Sequence, residues 1–245
     1  MHIPRFLCPA PIVAGVPLTL QAASAHHAVR VLRLASGQRV QVFDGSGVQH
    51  EGELIVTGRE QAEVLPGPAT WPAVESALRI WLGQGLSAAD KFDLVLQKSV
   101  ELGVHALAPL SLKRSVVRLD GERAQKRLAH WQGVVVAACE QSGRVRVPQV
   151  APLQGLGAWC ASLPPHTLRL LLLPQAGLDL RACTPPAAGV VLAIGPEGGF
   201  DPAEEAALLA AGFQGVRLGP RILRTETAAL AALAGLQAWH GDFAG

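Results

Sequence analysis

Val190-Val191-Leu192-Ala193-Ile194-Gly195-Pro196-Glu197-Gly198-Gly199-Phe200-Asp201-Pro202-Ala203-Glu204 is the stretch that decides how this chain folds. Five consecutive apolar residues read as a strand buried on both faces, the habit of parallel sheets. The strand runs into Gly195-Pro196, where glycine permits close backbone approach and proline fixes φ, so the loop is stiff and loses little entropy on ordering. Asp201 then suits an N-cap, Pro202 the first helical position and Glu204 the reciprocal place in a capping box. In strand–loop–helix units of this kind ligands sit outside the carboxyl ends of the strands. The helix N-terminus behind the loop suits a phosphate, yet neither G-x-G-x-x-G nor G-x-x-x-x-G-K-[ST] is present. A tight strand-to-helix turn accounts for Gly198-Gly199 but not for the charged Glu197 among them.

A second Gly-Pro element follows, Leu218-Gly219-Pro220-Arg221-Ile222-Leu223-Arg224-Thr225-Glu226-Thr227-Ala228. Thr225 suits the cap of a last helix and Glu226 its positive end. That leaves Arg221 and Arg224, whose guanidinium forks match a carboxylate or phosphate.

Outward from these loops, residues from about 75 onward read as α/β. Strands are expected at Leu78–Leu82, Ala106–Leu110, Leu168–Leu173, Val190–Ile194 and Gly215–Leu218. Helices are expected at Asp90–Leu102, Glu122–Gln141, Asp201–Ala211 and Thr225–Ala238, covering both faces of a mostly parallel sheet. The first 70 residues differ: Ser24 suits the cap of a short helix, Arg39–Phe43 and Glu53–Val56 read as strands, and Asp44-Gly45-Ser46-Gly47 supplies a turn. Short strands with glycine turns suggest a small β-barrel. Pro66-Gly67-Pro68 and Trp71-Pro72 read as punctuation, dividing the chain into domains 1–72 and 73–245.

With 49% hydrophobic and 16% charged residues the composition is that of a globular protein, not a disordered one. No apolar run reaches the roughly 18 residues of a membrane span, and Met1-His2-Ile3-Pro4-Arg5 shows no signal-peptide pattern, so a cytoplasmic protein without membrane contact is expected. Cys8, Cys139, Cys160 and Cys183 lack C-x-x-C spacing, and His26-His27 has no neighbouring ligands, so no metal is expected. The net charge of +2 does not announce nucleic acid, but Lys113, Arg114, Arg118, Arg123, Lys126 and Arg127 form a local basic run. Solvated partners Asp120 and Glu122 are the alternative reading of that run. Lys98 and Glu101 suit a simple helical ion pair.

The chain resembles the bacterial 16S ribosomal RNA (uracil-N3)-methyltransferase family, a branch of the SPOUT methyltransferases. The likeness runs through Ile3-Pro4-Arg5-Phe6, His27-Ala28-Val29-Arg30-Val31-Leu32-Arg33, Phe43–Gly47, Gln97–Val104, Glu140-Gln141-Ser142-Gly143-Arg144 and both Gly-Pro loops. The resemblance implies an N-terminal PUA-like RNA-binding barrel, then a SPOUT domain with a deep trefoil knot, working as a homodimer. It implies S-adenosylmethionine as cofactor and a uridine of 16S rRNA, within the 30S subunit, as substrate. The cofactor would lie among Leu172-Leu173-Pro174, then Ile194, Gly195, Pro196, Gly198 and Gly199, then Leu218, Gly219, Pro220, Leu223 and Thr225.

Uracil N3 carries a weakly acidic proton on the pairing edge, so the base must be unpaired to react. Glu197, then Glu226, are the candidates for base or orienter. Arg221 and Arg224 are the candidate cations for the developing negative charge. For RNA contact the expectation names Arg5, His27, Arg30, Arg33, Arg114 and Arg144, with Glu140 or Gln141 beside Arg144 at the mouth of the site. Arg30 and Arg33 are expected to share a helix face. With no tyrosine and 4% aromatic residues, RNA affinity should rest on phosphate contacts and fall with salt. Helix termination at Gly143 is the plainer reading of Glu140–Arg144. Two other functions fit the same loops: a SPOUT methyltransferase of another RNA such as tRNA, and a non-catalytic assembly factor.

Overall fold

Side-chain alternation organises the first of two units, Met1–Glu75 with Cys139–Val147. The computed structural model describes residues 3–9 and 11–244; Met1 and His2, from the reading of the N-terminus, lie outside them. Strands β1 (Arg5–Leu7), β2 (Leu18–Thr19), β3 (Arg39–Phe43), β4 (Gln49–Gly58) and β5 (Gln61–Thr70) form one sheet in the order β1-β3-β4-β5-β2. The β1–β3 pair is parallel and the others antiparallel. Phe6, Val40, Val42, Leu54 and Val64 alternate inward onto Ala25 and Ala28, which come from the short helix α1 (Ala22–His26) and the π-helical turn His27–Val31 that continues it. The cap of α1 is Gln21, without a side-chain bond, and Ser24 lies inside the helix. Pro66-Gly67-Pro68 does not interrupt the chain but belongs to β5. Beyond Val64 this strand pairs on one side only, so prolines there cost no ladder bond. A cut at residue 72 also misses Cys139–Val147, which groups with the first unit through contacts such as Leu7 N–H to the Glu140 carboxylate at 3.0 Å.

Cys8 and Cys139 are buried in this unit, and desolvation, the largest cause, pushes both thiols up to about 12. A raised native pKa means that the folded chain holds its protons more tightly than the unfolded one. Their contribution to stability is therefore complete below the unfolded thiol value of about 8.5 and is lost as pH climbs through the native one. Thermal melts should show stability falling above about pH 8.5, with a flatter profile in the Cys8→Ala/Cys139→Ala double variant. An identical slope in that variant would rule out these thiols as the cause.

The second unit, Ser76–Ala138 with Pro148–Gly245, is built on a parallel sheet. Its strands are β6 (Ile80–Gly85), β7 (Ala106–Ser111), β8 (Gln149–Val150), β9 (Gln154–Gly155), β10 (Leu168–Leu172), β11 (Leu178–Asp179), β12 (Val190–Ile194) and β13 (Gln214–Arg217). The order is β11-β13-β10-β12-β6-β7-β8, with β9 also on β7, and every pairing is parallel. All five residues of β12 are buried, as a central parallel strand covered on both faces requires. On one face Val191 and Ala193 join Leu110, Trp159, Leu171, Leu208 and Phe213, beneath helices α4 (Leu156–Ser162) and α5 (Pro202–Ala210). By alternation Val190, Leu192 and Ile194 face the other way. Helix α6 (Thr225–His240) contacts β12 and packs against helix α2 (Ala89–Glu101). The long helix α3 (Gly121–Ser142) brings Trp131 to 4.9 Å from Phe92 of α2. Leu233 and Leu236 of α6 are buried within this packing, whereas Leu230 and Ala234 are partly exposed.

The Asp201 capping box forms as the spacing predicts: Asp201 accepts from Ala203 N–H at 3.1 Å, and Glu204 accepts from Asp201 N–H at 3.0 Å. Lys98 and Glu101 pair at 2.7 Å.

Candidate functional site

Three neighbouring strands, β13, β10 and β12, end side by side, and the loops at their carboxyl ends enclose a cavity of about 620 Å³. That size lies in the range of small-molecule sites. Leu172, Leu173 and Pro174 come from the first loop; Ile194, Gly195, Pro196, Glu197, Gly198 and Gly199 come from the second. Leu218, Gly219, Arg221, Leu223, Arg224 and Thr225 come from the third. Pro220 and Glu226 do not line it. Glu226 sits in the first turn of α6 with one carboxylate oxygen buried and lacking a hydrogen-bond partner. Arg114, expected at RNA, also lines the cavity and donates to Gly198 O at 3.1 Å.

The loops owe their shape to glycine at a few positions. Gly199 N–H donates to Pro196 O at 2.9 Å, closing a turn that needs φ of +69° at Gly199. Gly219 has φ of +70°, and a Cβ on either glycine would meet nothing within 4 Å. Open space thus lies in front of both backbones, room that a ligand's edge fits. The walls combine apolar side chains and backbone amides with the carboxylates Glu197 and Glu205 and the cations Lys91, Arg114, Arg217, Arg221 and Arg224, of which Arg114, Arg221 and Arg224 are exposed. Such a set suits an adenine ring read by backbone groups and a charged tail held near arginine.

Two anchors tie the loops to β6 and α2. Thr225 Oγ1 donates to Gly195 O at 2.6 Å and accepts from Gln84 Nε2 at 2.8 Å. Thr225 therefore does not cap its helix, whose cap residue is Arg224. Glu197 Oε1 accepts from Ala88 N–H at 3.2 Å and lies 3.6 Å from Lys91 Nζ. Both partners sit at the start of α2, where the helix dipole favours a carboxylate.

A family model described as an RNA methyltransferase domain matches residues 74–237. One described as an RNA methyltransferase PUA domain matches residues 20–66. Ribosomal RNA small subunit methyltransferase E of Buchnera aphidicola subsp. Schizaphis graminum is 30% identical over 241 residues, 98% of each chain. The enzyme of that name from Synechocystis sp. is 35% identical over 227 residues, 90% of this chain and 73% of the relative. The crystal structure of ribosomal RNA small subunit methyltransferase E from Neisseria gonorrhoeae bound to S-adenosyl methionine superposes with a TM-score of 0.92 at 40% identity, covering 99% of this chain and 100% of that one. The chain belongs to the ribosomal RNA small subunit methyltransferase E family.

In this RNA methyltransferase the residues expected at RNA in the PUA-type unit divide into two groups. Arg5 and Arg144 are spent internally. Arg5 donates to Gln41 at 2.7 Å, Gln49 at 2.9 Å and Arg144 O at 3.0 Å, and stacks 5.1 Å from the centre of Phe43. Arg144 is buried, and its Nε and one terminal nitrogen donate to Glu75 at 3.0 and 2.7 Å. Glu140 is bonded to Leu7 N–H, and burial raises its pKa. The plainer reading of 140–144 therefore describes this segment: Gly143, with φ of +86°, ends the helix. His27, Arg30 and Arg33 are exposed. Arg30 lies 3.3 Å from Glu60. Arg33 follows the helical turn with φ of +54° and so does not share a helix face with Arg30. In the basic run, Lys113 pairs with Asp201 at 3.3 Å, Arg123 with Asp120 at 3.0 Å and Lys126 with Glu122 at 2.9 Å.

Gln84 and Lys91 were missed by sequence reasoning. Their distance along the chain from both Gly-Pro loops hides them, and only the β6–β12 pairing, which sets Gln84 opposite Ile194, brings them to the site. Among the described residues no cluster of His, Cys, Asp and Glu is placed to hold a metal ion, and no helix is long and apolar enough to cross a membrane.

Proposed function

We propose that this chain transfers a methyl group from S-adenosylmethionine to N3 of a uridine in 16S rRNA of the small ribosomal subunit. The observation that carries this reading is the cavity formed at three adjacent parallel strand ends, with open space before Gly199 and Gly219. The 40% identity to a relative solved with S-adenosyl methionine adds to it. When bound, the cofactor supplies an electrophilic methyl on a sulfonium. The chain's own residues do the rest. Backbone groups of Leu218 and Leu223 would hold the adenine, together with the cavity-lining Leu172, Pro174 and Ile194. Glu197, fixed by Ala88 and Lys91, orients the imide N3–H and takes its proton. Arg221 and Arg224 face the charge that then spreads over N3, O2 and O4, with Glu226 behind them at the start of α6.

The fold-level expectations belong to the same proposal. The first unit binds RNA as a PUA-like barrel, presenting His27, Arg30 and Arg33 to phosphates. The second unit forms the SPOUT domain, with its loops threaded in a trefoil knot. The working form is a cytoplasmic homodimer acting on the 30S subunit.

Methylation at N3 blocks base pairing, so reverse transcription of treated small-subunit rRNA should stop at one uridine, more strongly on 30S subunits than on free rRNA. Stops on tRNA alone would move the substrate elsewhere, and no stop on any RNA would overturn the reading. Glu197→Gln should cut turnover by about 100-fold, within the range of general acid–base catalysis, while cofactor affinity holds. Unchanged turnover would remove Glu197 from the chemistry.

A further inference from the structure

A glutamine in the middle of a parallel sheet needs a reason. Gln84 stands on β6 between Ile194 of β12 and Pro109 of β7, and the residue is 1% exposed. Its Nε2 donates to Thr225 Oγ1 at 2.8 Å and to Gly85 O at 3.2 Å, while its Oε1 is buried and lacks a hydrogen-bond partner. An amide with an unsatisfied buried acceptor is a poor choice for packing, since an apolar side chain of the same length would fill the space without that cost.

The hydrogen-bond directions explain the choice. Gly195 O can only accept, so the single proton of Thr225 Oγ1 goes to it, across 2.6 Å. The remaining lone pairs of that hydroxyl then require a donor. Gly85 O also only accepts, which fixes the amide with nitrogen toward both partners. The result is a directed relay from Gln84 through Thr225 to Gly195. It joins the start of one Gly-Pro loop to the first residue of the helix that ends the other. Gly195 and Thr225 both line the cavity, whereas Gln84 does not.

We propose that Gln84 is a positioning residue for the cofactor, acting through the Thr225 hydroxyl to set the spacing of the two loops. The inference rests on the function proposed above. It predicts that geometry, and not bulk, is what residue 84 contributes. Gln84→Met keeps the volume and removes the donor; Thr225→Val removes the hydroxyl, and Thr225→Ser restores it.

Calorimetric titration of the full chain with S-adenosylmethionine, paired with steady-state methylation of 30S subunits, tests this. Gln84→Met should weaken cofactor Kd and raise its KM about ten-fold, with kcat at saturation within about two-fold of the parent, and Thr225→Val should weaken Kd by a similar factor. The double variant should be no worse than either single one, because both break the same relay. Thr225→Ser should return to within about three-fold of the parent, retaining the only group the relay uses. A Kd for Gln84→Met within two-fold of the parent, multiplying losses in the double variant, or a Thr225→Ser as weak as Thr225→Val would each overturn the inference. Should Gln84→Met fail to fold, Gln84→Leu, which also removes the donor, takes its place in the titration, with the same loss of affinity expected and a Kd within two-fold of the parent overturning the inference. Absence of cofactor binding by the unaltered chain would overturn the proposed function itself; binding with the variants unchanged would overturn only the role of Gln84.

Discussion

Gly85→Ala is expected to weaken S-adenosylmethionine binding by about 5- to 150-fold, the equivalent of the ~1–3 kcal/mol that overpacking costs. Gly85 ends β6, and a Cβ there would lie 2.5 Å from Pro196 N and 2.6 Å from its Cδ. Neither atom belongs to the far end of a flexible side chain. The proline ring holds the backbone at one φ, so the whole segment Gly195–Gly199 must shift, and the hydrogen bond from Thr225 to Gly195 O must stretch with it. The measurement is a calorimetric titration beside a urea unfolding curve. Gly133→Ala is the contrast: Gly133 lies in α3, a Cβ there meets nothing within 4 Å, and the exchange should stabilise the chain by about 0.5–1 kcal/mol. Wild-type cofactor affinity in Gly85→Ala would show that the loop does not depend on this close approach.

Glu75→Ala should cost about 3–5 kcal/mol, the range found when one partner of a buried ion pair is removed. Glu75 Oε2 accepts from Arg144 at 2.7 and 3.0 Å, while Oε1 accepts from Val145 N–H at 3.1 Å and Arg146 N–H at 3.0 Å. The side chains of Arg144 and Glu75 are only 10% and 19% exposed. Truncation therefore withdraws the counter-charge from a buried guanidinium and the acceptor from two backbone donors at once. Urea unfolding of Glu75→Ala reports the loss. Because the pair is sheltered from solvent, the loss should be nearly the same at low and moderate salt. A change below about 1 kcal/mol, the value of an exposed pair, would show that the pair is not the buried lock its geometry describes.

Much of the parallel-sheet unit is legible in the sequence because its signals are local. An apolar run such as Val190–Ile194, a capping box such as Asp201–Glu204 and a helical period such as that of Asp90–Leu102 each lie within a single short segment. The first unit is harder to read. Pro66-Gly67-Pro68 carries the composition of a linker, yet it lies within β5. Whether proline fits a strand depends on which side of the strand pairs, and no local pattern records that. Arginine is ambiguous for the same reason. Arg5, Arg30 and Arg144 share one chemistry, but burial and the arrival of Gln41, Glu60 or Glu75 from elsewhere in the chain decide which remains exposed.

The sequence by itself determines that the two Gly-Pro loops exist, that each follows an apolar strand, and that a helix starts directly behind each. Backbone conformational limits and capping chemistry act over a few residues, so they need no knowledge of the fold. Only the tertiary structure decides what those loops rest on. Parallel pairing places Gln84 opposite Ile194 and the start of α2 against Glu197, although about 110 residues separate them along the chain. The residues that hold the site open are thus set by strand register, a non-local quantity that hydrogen bonds between distant segments fix and that residue type alone leaves open.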